Sequence, residues 1–370
     1  MALSYLQAKK IFDSLTDVEL RKASPLISVE GLAKYCPHKP LPKQQLFLDL
    51  TCLEALYGGA AGPGKTDALL MAALQYVHVP GYSALILRRD FARLALPKSI
   101  MDRAREWLQG TDAKWNGTEH SFRFPSGAVI QFGYIDSPND RFRYASAEFQ
   151  FIAWDEMTEF QLPTDGENNP YEFLFSRLRR PVGMPVPLRV RAGSNPGNIG
   201  HQYVKRRFVT EEALAHLREG GEAQVFYTGK DRSRAFVPAL LEDNPFIDRE
   251  TYVKGLMYLP AVTRARLLSG DWSVIENVRH LLYAERRHFG RLLPKGFAWD
   301  PIGLPTGGVP RRTGAGTAST DDLEEVLAAW DQVHGAIRLD AVEREQAIRA
   351  VERNLLHLRI HMRYIGRTLG

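Results

Sequence analysis

Cysteine is nearly absent from this sequence: Cys36 and Cys52 are the only two among 370 residues, and neither has partners at metal-ligand spacing. That excludes a disulfide-built scaffold and a cysteine zinc site, and both thiols are expected to be buried in a reducing compartment. Long apolar runs are absent as well. No stretch approaches the length of a bilayer span, and the first residues, with Lys9, Lys10 and Asp13, carry no signal-peptide core. The expectation is a cytoplasmic protein with no membrane partner. Neither sign of charge dominates: a net charge of +5 and a pI near 9.1 suit a polyanion partner without identifying one.

What is present is an ordinary globular composition, 44% hydrophobic and 25% charged, in a chain long enough for two domains. The chain is organised around Gly59-Ala60-Ala61-Gly62-Pro63-Gly64-Lys65-Thr66, between an apolar run (Leu53 to Tyr57) and a helix-like segment (Asp67 to Val77). This fits the G-x-x-x-x-G-K-[ST] phosphate-binding pattern. Glycines let backbone N–H groups turn toward phosphate oxygens, and the helix that follows aims its positive end at the same anion. Lys65 is then expected on the β/γ-phosphates of ATP and the Thr66 hydroxyl on Mg²⁺. The plain alternative is a glycine-rich turn with a surface lysine.

Ahead of the loop, Met1 to Pro40 has a helical pattern, and Gln44 in Pro42-Lys43-Gln44-Gln45 is a candidate for the adenine edge, since its amide both donates and accepts. Such a glutamine is otherwise simply solvated. After the loop helix, Ser83 to Leu87 reads as a buried strand ending in Arg88 and Arg89, followed by an amphipathic helix from about Asp90 to Leu108. Phe122 to Phe132 alternates around a Pro-Ser-Gly turn and reads as a hairpin. Phe149 to Asp155-Glu156 is a strand ending in two carboxylates. In a nucleotide site Asp155 would hold Mg²⁺ and Glu156 would orient or deprotonate the attacking water; standing alone, the pair is an acidic helix start. A further strand, Pro187 to Ala192, runs into Ser194-Asn195-Pro196-Gly197. Amides at such a strand end can sense a terminal phosphate, although by sequence alone the segment is a plain turn. Strands alternating with helices predict an α/β fold, a mainly parallel sheet with helices on both faces.

Taken in order, these stretches resemble the ATPase domain of the large terminase subunit of tailed bacteriophages. The resemblance runs from about Leu41 to Val274, giving an ATPase domain over 41–275. It also rests on His201, Phe208, Phe236-Val237-Pro238-Ala239, Asp243-Asn244-Pro245 and Leu267 to Trp272. It implies that Lys65, Thr66 and Asp155 serve ATP and Mg²⁺, that Glu156 activates water, that Gln44 meets adenine, and that Ser194 and Asn195 couple hydrolysis to movement. It also implies a P-loop motor moving double-stranded DNA in the bacterial host's cytoplasm. The implied assembly is a homo-oligomeric ring with a small terminase subunit on the portal vertex of a procapsid. Duplex would be held by its phosphates, with Arg177, Arg179, Arg180, Lys205, Arg206 and Arg207 as candidates. A helicase-like ATPase and a non-catalytic ATP-binding assembly component are the alternatives.

Two features depart from the family pattern. Loops of this family often carry a basic residue where Ala60, Ala61 and Pro63 stand here, so the arginine that neutralises transition-state charge is expected elsewhere. Arg141 and Arg143 are the candidates, acting on a neighbouring subunit. The usual nuclease domain also has no room after the Gly-Asp-Trp segment. Asp300 is the one candidate nuclease ligand, 276–320 reads as a Gly/Pro-rich linker or nuclease remnant, and 321–370 as a helical appendage. The expectation is no endonuclease activity.

Overall fold

The computed structural model describes residues 32–163, 168–218, 225–228 and 233–259, with positions 267, 268 and 332. Most of the expected helical lead, the 276–320 linker, Asp300 and nearly all of the 321–370 appendage lie outside the described residues. Strands are β1 (Glu54–Gly59), β2 (Ser83–Arg88), β3 (Lys114–Asn116), β4 (Ser121–Arg123), β5 (Val129–Tyr134), β6 (Phe151–Asp155), β7 (Arg189–Ser194), β8 (Phe226–Thr228) and β9 (Arg234–Ala239). Helices are α1 (Pro42–Leu48), α2 (Lys65–Leu74), α3 (Phe91–Leu94), α4 (Ile100–Leu108), α5 (Pro170–Phe175), α6 (His201–Phe208), α7 (Glu211–Arg218) and α8 (Arg249–Leu256). Among the described residues no helix is long and apolar enough to cross a membrane.

The strands form one nine-stranded sheet in the order β3-β4-β5-β2-β6-β7-β1-β9-β8. Its centre, from β5 to β9, is parallel, and only the two edges are antiparallel. Alternate residues of each central strand enter opposite cores, as the period of two requires. Tyr57, Ile86, Ala153 and Val237 pack with α1, α2 and α4 on one face. Leu56, Leu87, Trp154 and Phe236 pack with α5, α6 and α7 on the other. Strands buried on both faces read as the near-continuous apolar runs seen in the sequence. Parallel strands also bring the carboxyl ends of β1, β2, β6 and β7 to one edge, where ligands of such sheets bind.

Three boundaries differ from the sequence reading. The helix expected over Asp90 to Leu108 is two helices, because Pro97 interrupts it and Lys98 takes a left-handed φ of 62°. The loop helix stops at Leu74. Strand β7 runs on to Ser194 because its register with β1 pairs Tyr57 with Gly193 and Gly58 with Ser194, which draws Ser194 beside the glycine loop.

Candidate active site

The loop is shaped by glycines that could not be replaced. Gly59 has φ 143°, and a Cβ there would lie 2.3 Å from the Ala239 carbonyl oxygen; Gly62 and Gly64 have φ 91° and 80°. Pro63 contributes no N–H, so one of the loop's positions cannot donate to a phosphate. Ala60 and Ala61 spend their N–H groups on the carbonyls of Ala239 (2.8 Å) and Leu267 (2.7 Å). Gly62 is clamped from outside by the Asn244 amide, which donates to its carbonyl at 2.7 Å. Beside it, Lys43 and Asp243 form a largely buried ion pair at 2.8 Å. The sequence reading gave Lys43, Asp243 and Asn244 no role.

Lys65, first residue of α2, is buried, and its ammonium donates to the Ala60 carbonyl (2.6 Å) and the Asn195 Oδ1 (2.6 Å). Burial lowers its pKa, and the carboxylates of Glu156 and Asp155 oppose that. Thr66 Oγ1 donates to Asp155 Oδ1 at 3.3 Å. Asp155, at the end of β6, has its pKa pushed up to about 6, chiefly by burial, with Arg88 pulling the other way. Glu156 leaves the strand in a left-handed conformation, φ 54° and ψ 56°, a backbone state that non-glycine residues hold at a cost and that clusters at functional sites. The Asn195 Nδ2 points to Glu156 Oε2 at 3.5 Å. One amide therefore stands between the loop lysine and the second carboxylate. Ser194 Oγ accepts from the Thr158 N–H (3.0 Å) and shares a hydrogen bond with its hydroxyl (2.8 Å), tying the end of β7 to the turn after Glu156.

Thr66 and Asp155 offer a neutral and an ionisable oxygen close together, a donor set that suits Mg²⁺ completed by phosphate and water oxygens. Among the described residues no group of three or more His, Cys, Asp or Glu forms a protein-only metal cage.

The other expected residues lie as follows. Gln44 touches the loop through its amide: Nε2 donates to the Gly64 carbonyl at 2.9 Å and Oε1 accepts from Leu41 N–H at 2.8 Å, with the side chain buried. The amide keeps a second N–H and a second oxygen lone pair, the two groups an adenine edge would take. Arg141 is buried in its own turn, donating to the Pro138 carbonyl and lying over the Phe142 ring. Arg143 pairs with Asp140 at 2.9 Å and stays half exposed. Among the described residues neither touches the loop.

Of the basic residues named for DNA, Arg207 is committed to Glu54 (2.7 and 3.1 Å). Arg179 pairs with Glu148, Arg177 donates to the Ala145 carbonyl and Arg180 to that of Val186. Arg206 is exposed.

One arginine that the sequence left without a role is in the cluster. Arg88 closes β2, whose register sets Leu87 against Trp154, and its Nη1 lies 3.5 Å from Asp155 Oδ2. The only sequence signal was a cation ending a buried strand; its neighbour was set by strand order.

No protein-family model matches this chain, and no curated protein matches it. Among solved structures it is similar to the large terminase from a thermophilic bacteriophage, at 12% identity over 63% of this chain and 54% of that one, with a TM-score of 0.44. It is similar also to the Thermus phage P74-26 large terminase ATPase domain, at 12% identity over 66% of this chain and 96% of that one, with a TM-score of 0.43. A further similar structure is the Phi-28 gp11 DNA packaging motor, at 14% identity over 55% of this chain and 62% of that one, with a TM-score of 0.34. The match spans about half the length of the first of these terminases, which has also been solved with ATP-gamma-S and with ADP. The structural neighbours of this chain include phage large terminase ATPase domains.

Proposed function

We propose that this chain is the ATP-hydrolysing motor of a terminase-type machine, which binds ATP with Mg²⁺ and moves double-stranded viral DNA into a procapsid. The observation that carries this reading is the line from Lys65 through Asn195 to Glu156. The Lys65 ammonium has three N–H donors and spends two of them on the Ala60 carbonyl and the Asn195 Oδ1, so phosphate oxygens that take more than the third displace one of these contacts. Where the displaced contact is the one with Asn195, that side chain loses one of its two partners and the amide that faces Glu156 is free to turn. Occupancy of the loop thus alters how the general-base candidate is held. Through Ser194 and Thr158 the same change reaches the turn that precedes α6. Two arrangements selected by ligand are what a cyclic motor needs.

In this reading Thr66 and Asp155 would hold Mg²⁺, which would supply neutralisation of phosphate charge, and Glu156 takes the proton of the attacking water. Gln44 holds the loop with one N–H and one oxygen lone pair of its amide, and the remaining N–H and lone pair are what adenine would take. Arg206 and Lys205 on α6 are the candidates for DNA phosphates, while the half-exposed Arg143 is the one of its pair suited to reach a neighbouring copy in a ring. The small subunit and the portal vertex follow from the resemblance to terminases, as does a site of action in the host cytoplasm.

The test is the ATP hydrolysis rate of the purified chain without DNA, with duplex and with single strands, beside Glu156→Gln. Stimulation by duplex, lost by about 10²–10⁴-fold in the variant, is the expected result. Preference for single strands would favour a helicase-like ATPase. ATP binding with no turnover under any condition would turn the assignment to a non-catalytic assembly component.

A further inference from the structure

The chain contains a buried cation that its own fold leaves under-bonded. Arg88 has a side chain 14% exposed, and its Nη1 is 3.5 Å from Asp155 Oδ2, beyond the usual range for an N–H···O hydrogen bond. Both Nε and Nη1 are buried without a hydrogen-bond partner. Burial opposes its charge, but Asp155, Glu156, Glu159 and Asp90 outweigh that and raise its pKa, so the guanidinium is charged at any working pH. A planar donor fork held in place with empty N–H groups is suited to a planar or tetrahedral oxyanion. Unmade hydrogen bonds of a buried ion are costly, and a ligand that supplies acceptors recovers that cost.

Among the described residues the other cations considered for this charge are held elsewhere, as are Arg89, 3.9 Å from Asp136, and Arg93, paired with Asp90 and Glu159. Positions 60, 61 and 63 of the loop are Ala, Ala and Pro. Lys65 is the loop's own cation, Arg141 is bonded into its turn, and Arg143 is paired with Asp140. Among the described residues Arg88 is the arginine that reaches Asp155, the carboxylate that Thr66 touches, from the strand next to β6.

We infer that Arg88 is a further nucleotide-contacting residue, which exchanges its loose contact with Asp155 for the terminal phosphate of a bound nucleoside triphosphate. It supplies, from within the same chain, the positive charge that the loop lacks. When Asp155 turns to a divalent cation, the guanidinium is released toward the phosphate oxygens, and the two charges no longer compete for one carboxylate. This assignment rests on the nucleotide reading of the site given above.

The experiment is equilibrium binding of ATPγS and of ADP, each with Mg²⁺, to the full chain, to Arg88→Gln and to Arg88→Lys, with thermal melts of all three. The expected result is a loss of ATPγS affinity of about ten- to a hundredfold in Arg88→Gln with ADP affinity within about twofold of the parent chain, and partial recovery in Arg88→Lys. Equal weakening of both nucleotides would overturn the inference, since it would mean that Arg88 acts only through Asp155 or through packing. Unchanged binding of both would overturn it as well. If the unsubstituted chain binds neither nucleotide, the nucleotide site itself falls and this assignment falls with it; parental binding of both separates the two failures.

Discussion

At the amino end of the central strands, Glu54 is held by Arg207 at 2.7 and 3.1 Å and by the Tyr171 hydroxyl at 2.8 Å. Nearby, Arg189 and Arg191 are fully buried with no carboxylate beside them, and their guanidinium groups donate to Gln75 Oε1 and to the carbonyls of Ala72, Leu50, Cys52 and Leu53. At the carboxyl end of the same sheet, the Arg88 side chain makes no hydrogen bond among the described residues, Asp155 resists ionisation, and Glu159 Oε2 is buried without a hydrogen bond, 3.6 Å from Arg93 Nε. Arg88, Arg189 and Arg191 all leave Nε unbonded; what separates Arg88 is that Nη1 is unbonded too. Buried charge whose terminal donors are matched holds a fold together, whereas buried charge left largely unmatched is a site prepared for something else.

The comparison breaks first at Arg207. Removing it leaves Glu54 buried with only a neutral partner, and Arg207→Ala is expected to lose about 3–5 kcal/mol of stability, read as a fall in urea midpoint. A stable variant with weakened DNA binding would instead return Arg207 to the DNA-contact candidates.

The opposite sign is expected at Asp155. Its pKa is about 6 in the folded chain against roughly 4 when unfolded. Between those values the folded state binds more protons than the unfolded one, so stability falls as pH rises through that window. Asp155→Asn should therefore gain up to about 3 kcal/mol above pH 6 while losing turnover, and the gain should vanish below about pH 4. Urea melts at both ends of this range decide it. A loss of stability at neutral pH would show that Asp155 is as well matched as Glu54.

The smallest effect is expected at the outer clamp of the loop. Asn244→Ala removes one hydrogen bond to the Gly62 carbonyl and should lose about 1 kcal/mol while raising the KM for ATP more than it lowers kcat. Steady-state kinetics separates the two; a change in kcat alone would mean that the clamp acts on chemistry and not on loop position.

Much of this was legible in the chain. The glycine spacing before Lys65 and Thr66, the apolar run that ends in Asp155, and the hairpin around Ser126 and Gly127 each depend on residues close in sequence, where conformational preference and periodicity act. Boundaries slipped where a neighbouring element intervened, as when pairing with β1 extended β7 to Ser194. The partners of long polar side chains were not legible. Gln44 turned to Gly64, Arg207 to Glu54 and Asn244 to Gly62, across separations of 20, 153 and 182 residues.

The sequence by itself determined the glycine loop, the two carboxylates after their strand, and a sheet buried on both faces, because backbone freedom and alternating hydrophobicity are written in adjacent residues. Only the tertiary structure decided that Arg88 lies against Asp155, that Asn195 stands between Lys65 and Glu156, and that Arg207 is spent on Glu54. Those choices follow from strand order and register, which bring together residues that no local pattern connects.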